Sequence, residues 1–215
     1  MKRLTLVILY SYSISFMFAI EIHIQTELSE FTISVASEAR EVSVNNITEG
    51  TTRGTTIKRI KGLESLPNLD SLFIRYFDFE AFDDVRSSGI KYLQLYWSNH
   101  VCLSKLLELP LRGLSLRTVF FDKEPVIDAS NSVIDYLEIS GSNLINVPRY
   151  IGEIRVINLS YNGISNINPS IFWYYTKCEY VILIGNNIWQ TLPSNFIVKG
   201  NIFDLLPIEY QRFVM

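Results

Sequence analysis

A short apolar phrase returns along the second half of this chain, and its spacing constrains the fold more than anything else in the sequence. It reads Ile154-x-x-Ile157-x-Leu159-x-x-Asn162-x-Ile164, then Cys178-x-x-Val181-x-Leu183-x-x-Asn186-x-Ile188. An earlier copy, Ile134-x-x-Leu137-x-Ile139-x-x-Ser142-x-Leu144, carries Ser in place of Asn. Before it come Leu111-x-x-Leu114-x-Leu116, Ile90-x-x-Leu93-x-Leu95 and Leu69-x-x-Leu72-x-Ile74. The second apolar position falls at 72, 93, 114, 137, 157 and 181, in steps of 21, 21, 23, 20 and 24 residues. A period of this size marks stacked units, none of which can bury its own apolar edge. Two apolar residues flanking a third position also have the period of a strand. Ile157 and Leu159 therefore point into one shared core, and the positions between them face the other side. The alternative Leu116-x-x-Val119-x-Phe121 fits the phrase too, but it leaves only 18 residues to the next copy, so Leu114 keeps the register.

The phrase L-x-x-L-x-L-x-x-N-x-L resembles that of the leucine-rich-repeat superfamily, over about residues 60–198. The resemblance implies an α/β solenoid. In it, short parallel strands line the concave face of a horseshoe and irregular or 3-10 turns line the convex face. Val147-Pro148, Ile167-x-Pro169-x-Ile171-Phe172 and Leu192-Pro193-x-x-Phe196 resemble the family's L-P-x-x-x-F segment, which packs the convex side. Asn162 and Asn186 stand where a side-chain amide can satisfy backbone groups of neighbouring turns, as buried backbone requires. Phe77, Ser98, Val119 and Ser142 replace that Asn in the earlier copies, which predicts irregular coils there.

The ends differ from the middle. Lys2-Arg3 followed by a largely apolar stretch from Leu4 to Ala19 has the layout of a signal peptide, with an uncleaved membrane anchor as the other reading. No other apolar run approaches the ~18 residues of a spanning helix, so a cleaved chain is expected to make no stable membrane insertion. Ile20, Ile22 and Ile24, then Phe31, Ile33 and Val35, then Val42 and Val44 alternate with polar residues, the pattern of half-buried strands. The expected organisation is a signal peptide at 1–19, a strand-built cap and loop at 20–56, about six repeats at 57–198, and a short C-terminal cap at 199–215. Ile57 to Leu66 is expected to be a degenerate repeat, and Ile202, Phe203, Leu205, Leu206, Tyr210 and Phe213 to cover the last coil.

Secretion is consistent with two sequons, Asn46-Ile47-Thr48 and Asn158-Leu159-Ser160. Asn46 lies in a polar stretch; Asn158 falls on a concave strand position, where it is either glycosylated or left bare by tight folding. There are two cysteines, Cys102 and Cys178. Four coils at ~4.8 Å per strand step put them roughly 20 Å apart, beyond the ~7 Å that a disulfide spans. Cys178 takes an apolar position of the last repeat, where a thiol is an ordinary core residue. Cys102 is the candidate for an intermolecular disulfide or a reactive site.

The chain has a net charge of −3 and no basic cluster, which argues against a nucleic-acid partner. His23 and His100 have no metal-ligand spacing, Asp83-Asp84 reads as solvated charge, and none of the common catalytic or phosphate-binding motifs occurs. No enzyme activity, cofactor or metal is expected. Columns across the expected concave face instead gather aromatics: Phe73, Tyr76, Tyr92, Tyr96 and Trp97, with Tyr136 beside them and Arg75 and Arg117 at their border. Tyr, Trp and Arg dominate binding hot spots, although cross-strand aromatic neighbours also stabilise a sheet with no partner. The combination of leader, short array and absent cysteine caps is similar to secreted leucine-rich-repeat proteins of insects, including immune ones. That resemblance implies recognition of a protein partner or pathogen-surface ligand outside the cell. The alternative is a structural or adhesive extracellular component assembled through its ends and Cys102.

Overall fold

The computed structural model describes residues 19–46, 55–165, 167–200, 206 and 208–211. The expected leader and most of the expected C-terminal cap lie outside them. The chain divides into two compact units between Val101 and Cys102. Division is natural to an array in which each coil touches only its neighbours.

The first unit opens with an antiparallel pair, β1 (Ala19–Thr26) and β2 (Glu30–Ala36), in continuous register from Ala19↔Ala36 to Gln25↔Glu30. Ile22, Ile24, Ile33 and Val35 fill the inner face, as their alternation requires. Two corrections follow. Strand β3 (Glu41–Asn45), which carries Val42 and Val44, is not part of the cap; it pairs in parallel with β5 (Ser71–Arg75), Val42 opposite Leu72 and Val44 opposite Ile74. Conversely β4 (Thr56–Lys61) is not a repeat, because it lies antiparallel to β1 and closes the cap sheet with the two-residue β6 (Asp78–Phe79). Alternation alone says that a segment is a strand; which partner it finds depends on the rest of the chain.

The parallel ladder of the first unit runs β3-β5-β7, with β7 at Tyr92–Tyr96. Helix α1 (Phe82–Ser88) follows β6 and ends at Gly89 in the left-handed conformation. Asp84, read from sequence as solvated, is buried instead. Its carboxylate accepts two hydrogen bonds from Arg59 Nε (3.1 and 3.0 Å), one from Arg59 Nη2 (3.0 Å) and one from the Ile60 backbone N–H (2.8 Å), tying α1 to β4.

In the second unit the ladder is β8 (Gly113–Arg117), β10 (Tyr136–Ser140), β12 (Val156–Asn158), β13 (Tyr180–Ile182) and β14 (Phe196–Ile197), neighbours in that order and all parallel. The repeat phrase is the register: Leu114 opposes Leu137, which opposes Ile157, which opposes Val181. That settles the register around 111–126 in favour of Leu114. Every strand position of the phrase is buried in both units, from Leu72 and Ile74 to Val181 and Leu183. Helix α2 (Leu103–Leu107) and a small parallel pair, β9 (Ile127–Ala129) with β11 (Tyr150–Gly152), form the returning side. A 3-10 turn at Pro169–Tyr175 opens with the Asn168 side chain capping the Ser170 N–H. In this turn Tyr175, rather than Phe172, is the fully buried anchor, its hydroxyl donating to the Pro148 carbonyl and its ring set against Tyr150 and Phe196.

The two asparagines of the phrase behave as the backbone requires. Asn162 Nδ2 donates to the carbonyls of Ile139 (2.8 Å), Leu159 (2.9 Å) and Ser160 (3.2 Å), while its Oδ1 accepts from the Ser142 N–H at 2.9 Å. Asn186 repeats the pattern with Leu159 and Leu183 and accepts from Ile164. Where Ser replaces Asn the reach is shorter: Ser142 Oγ accepts from Val119, and Ser98 Oγ donates to Phe77 at 2.5 Å. Among the described residues no helix is long and apolar enough to cross a membrane.

Candidate functional site

Two residues after the third apolar position of each repeat phrase, the backbone turns into the left-handed region. In the first unit these residues are Tyr76 (φ 64°) and Trp97 (φ 57°); in the second they are Thr118, Gly141, Tyr161 and Gly185. Glycine makes this turn at no steric cost, whereas a side chain there costs about 1–2 kcal/mol. The first unit nevertheless places two large aromatics at consecutive turns. With Tyr96 they form a ring cluster: Tyr76 and Tyr96 centroids stand 5.5 Å apart edge-on, Tyr76 and Trp97 5.8 Å, Tyr96 and Trp97 6.1 Å. The Tyr76 N–H also donates to the Tyr96 carbonyl at 2.9 Å, so the two turns are held together. Trp97 is 38% exposed, Tyr76 and Tyr96 are partly exposed, Arg75 is exposed and Phe73 is half-buried. Tyr92, expected on this surface, is buried instead.

Tyr136 is also corrected. It and Asn158 are 0% exposed, and Glu138 between them in the ladder is 1% exposed. In the second unit the strand face that alternates away from the apolar core is therefore closed and polar around Glu138. Glu138 accepts from Ser140 Oγ (2.6 Å), Ser115 Oγ (2.8 Å) and the Tyr136 hydroxyl (3.4 Å), and its carboxylate stands 3.5 Å from Arg117 Nε. Register explains the set: Glu138 lies directly opposite Ser115, and Arg117 opposite Ser140, so Arg117 reaches Glu138 along the diagonal. Burial raises the Glu138 carboxyl above its ordinary range, with the Arg117 charge and the hydroxyl bonds opposing that shift. Burial, followed by the Glu138 charge, likewise lifts the Tyr136 phenol well above its ordinary value. Asn158 Nδ2 donates to Tyr136, and its Oδ1 accepts from both the N–H and the Oγ of Ser160.

Asn158 of the second sequon is thus buried, with both ends of its side-chain amide hydrogen-bonded. Asn46, which lies in a polar stretch of the sequence, is buried as well, its N–H donating to the Arg75 carbonyl. Both cysteines are free: Cys102 is partly exposed with Sγ 3.6 Å from Ser104 Oγ, and Cys178 is buried near Tyr150 with its thiol pushed up to about 12 by burial. Among the described residues no three His, Cys, Asp or Glu side chains converge as a metal site.

The coil built from one parallel strand every 20–24 residues, with an asparagine bridging adjacent turns, is leucine-rich-repeat-like. No protein-family model matches the chain, and no curated protein matches it. Among solved structures it is similar to internalin C2 from Listeria monocytogenes str. 4b F2365, at 19% sequence identity and a TM-score of 0.42, over 77% of this chain and 83% of that one.

Sequence reasoning thus brought Tyr76, Tyr96, Trp97, Arg75 and Phe73 to one unit and failed on Tyr92 and Tyr136. It missed Glu138 as the centre of a polar cluster. The available signal was a lone carboxylate between two core positions, Leu137 and Ile139, with Arg117 one coil earlier on the diagonal. It also missed exposed aromatics of the second unit, among them Trp173 and Trp189.

Proposed function

We propose that this chain is a secreted, non-enzymatic recognition module that holds a protein or pathogen-surface ligand on the aromatic cluster of its first unit, in the service of innate immunity. The observation that carries the proposal is the placement of Tyr76 and Trp97 at left-handed turns. Glycine takes the equivalent turn at Gly141 and Gly185, and at Tyr76 and Trp97 the aromatics add partly exposed ring faces. Residues kept in costly backbone conformations gather at functional sites, and Tyr and Trp with a neighbouring Arg make a typical hot spot. Arg75 supplies that cation, and Phe73 extends the apolar floor.

The test is capture by cross-linking from extracellular fluid of the source, comparing the native chain with a Tyr96→Ala/Trp97→Ala variant. A species recovered by the native chain should disappear with the variant, while the far-ultraviolet circular dichroism of the two stays the same. Equal recovery by a folded variant would overturn the proposal. A covalently assembled structural component is the second reading, supported by the free and partly exposed Cys102. It predicts a reducible complex that Cys102→Ser abolishes and that the aromatic substitutions leave intact.

A further inference from the structure

On the returning side of the second unit a groove of about 360 Å³ crosses three successive coils. Pro125, Val147 and Ile167 line it and are buried, while Val126 and Ile171 line it and stay open to solvent in part. Ile127 and Tyr150, opposite each other in the β9–β11 pair, are buried, so the residues just before them, Val126 and Arg149, turn outward together. Val126 is 53% exposed, and Trp173 in the following 3-10 turn is 82% exposed. The Arg149 guanidinium lies over the Tyr174 ring, 5.3 Å from its centroid. Among the described residues no carboxylate pairs with it. Asp128, on the same outward face, accepts from the Ser130 N–H and hydroxyl instead. Stacking uses one face of a guanidinium and leaves the donors at its edge for a planar acceptor.

We infer that this groove binds an extended segment of a partner protein in which an acidic residue stands next to an aliphatic one. The carboxylate pairs with Arg149, and the aliphatic side chain fills the apolar floor. A guanidinium held flat against a ring matches a carboxylate with two parallel hydrogen bonds. Its place on the rim of an apolar groove selects an acid with an apolar neighbour. Glu124 lines the groove one coil earlier and repels an acid seated there, so the charges also fix which way the segment lies. Exposed apolar surface continues past the groove at Ile151 and Trp173. That is more than a small acid would cover, and surface of this kind marks a protein contact. The site shares no residue with the aromatic cluster of the first unit.

The test is selection of short random peptides displayed on phage by the purified full chain, under reducing conditions so that Cys102 cannot contribute. The native chain should enrich sequences with Asp or Glu beside Leu, Ile or Val. Fluorescence anisotropy of a labelled synthetic copy should show binding to Arg149→Ala weaker by about tenfold or more. A copy with Lys in place of the acid should fail to bind the native chain and should bind Arg149→Glu. Arg149 is exposed, and circular dichroism checks that both variants keep the fold. The inference is overturned if no such sequence is enriched, or if the enriched peptide binds Arg149→Ala as well as it binds the native chain. It is overturned equally if Arg149→Glu keeps the preference for an acid.

Discussion

Replacing Arg117 with Ala removes the cation that faces the most deeply buried carboxylate of the second unit. Breaking a buried ion pair from one side costs about 3–5 kcal/mol, because the remaining charge is left in a poorly solvated site. Two features of this site reduce the figure. The Arg117 side chain is 31% exposed, so water already screens part of the attraction. Ser115, Ser140 and Tyr136 continue to hold Glu138 when the guanidinium is gone. The expected loss at neutral pH is therefore about 2 kcal/mol. Its pH dependence is the more discriminating result. The folded-state Glu138 carboxyl titrates above its ordinary value of 4.5 because burial outweighs the groups that favour its charge, and Arg117 is the first of those groups. Loss of Arg117 raises it further. A carboxyl with a raised folded pKa contributes stability that is full below its unfolded pKa and is lost as pH rises through the folded one. The Arg117→Ala deficit should accordingly be largest above the folded pKa and shrink as pH falls, since a neutral Glu138 needs no cation. Urea unfolding of both proteins across that range measures it, with the slopes checked for constancy. Adding Glu138→Gln should recover most of the loss at neutral pH. A deficit that ignores pH, or a double variant no more stable than Arg117→Ala alone, would refute the reasoning.

Other substitutions test the coil itself. Asn162→Ala removes the Ile139 carbonyl's side-chain donor and the Ser142 N–H's acceptor, while Leu159 keeps Asn186 and Ser160 keeps the Gly141 N–H, and it should lower stability by about 1–3 kcal/mol in the same unfolding assay; a change near zero would remove the asparagine ladder as a source of stability. Gly185→Ala places a Cβ 2.3 Å from Cδ1 of Tyr161 at a φ of +75°, so it should cost about 2–4 kcal/mol. Tyr161→Ser should return the overpacking part and leave the backbone part; full recovery would mean that the turn conformation costs nothing. The buried Cys178 thiol, lifted to about 12, should resist alkylation in the folded chain at mildly alkaline pH while Cys102 reacts. Intact-mass measurement should count one added label before denaturation and two after it, and two before would contradict the burial.

The parallel register of the second unit was legible because it is the same fact as the phrase spacing. A one-residue slip would turn every buried apolar residue of a strand outward, so Leu114, Leu137, Ile157 and Val181 could align in one way only. Asn162 and Asn186 were legible for a related reason: a turn repeated at constant spacing leaves the same backbone groups to satisfy each time. The aromatic cluster was only half legible. Columns of residues could be listed from the register, but whether a column is open or closed is decided by what lies over it. Tyr76, Tyr96 and Trp97 stay partly exposed, whereas Tyr92, Tyr136 and Asn158 are closed off. Backbone hand was beyond pattern as well, since nothing in Tyr or Trp announces a positive φ.

Pairing divided along the same line. Val42-x-Val44 and Ile57-x-x-Ile60 are both short segments with two buried apolar residues, yet one begins a parallel ladder and the other completes an antiparallel cap. The sequence by itself determined the period, the core and the hydrogen-bonding role of its asparagines, because these depend on neighbours at constant separation along the chain. Only the tertiary structure decided the partners of the early strands and the closed polar cluster around Glu138, because each depends on which segments meet in space.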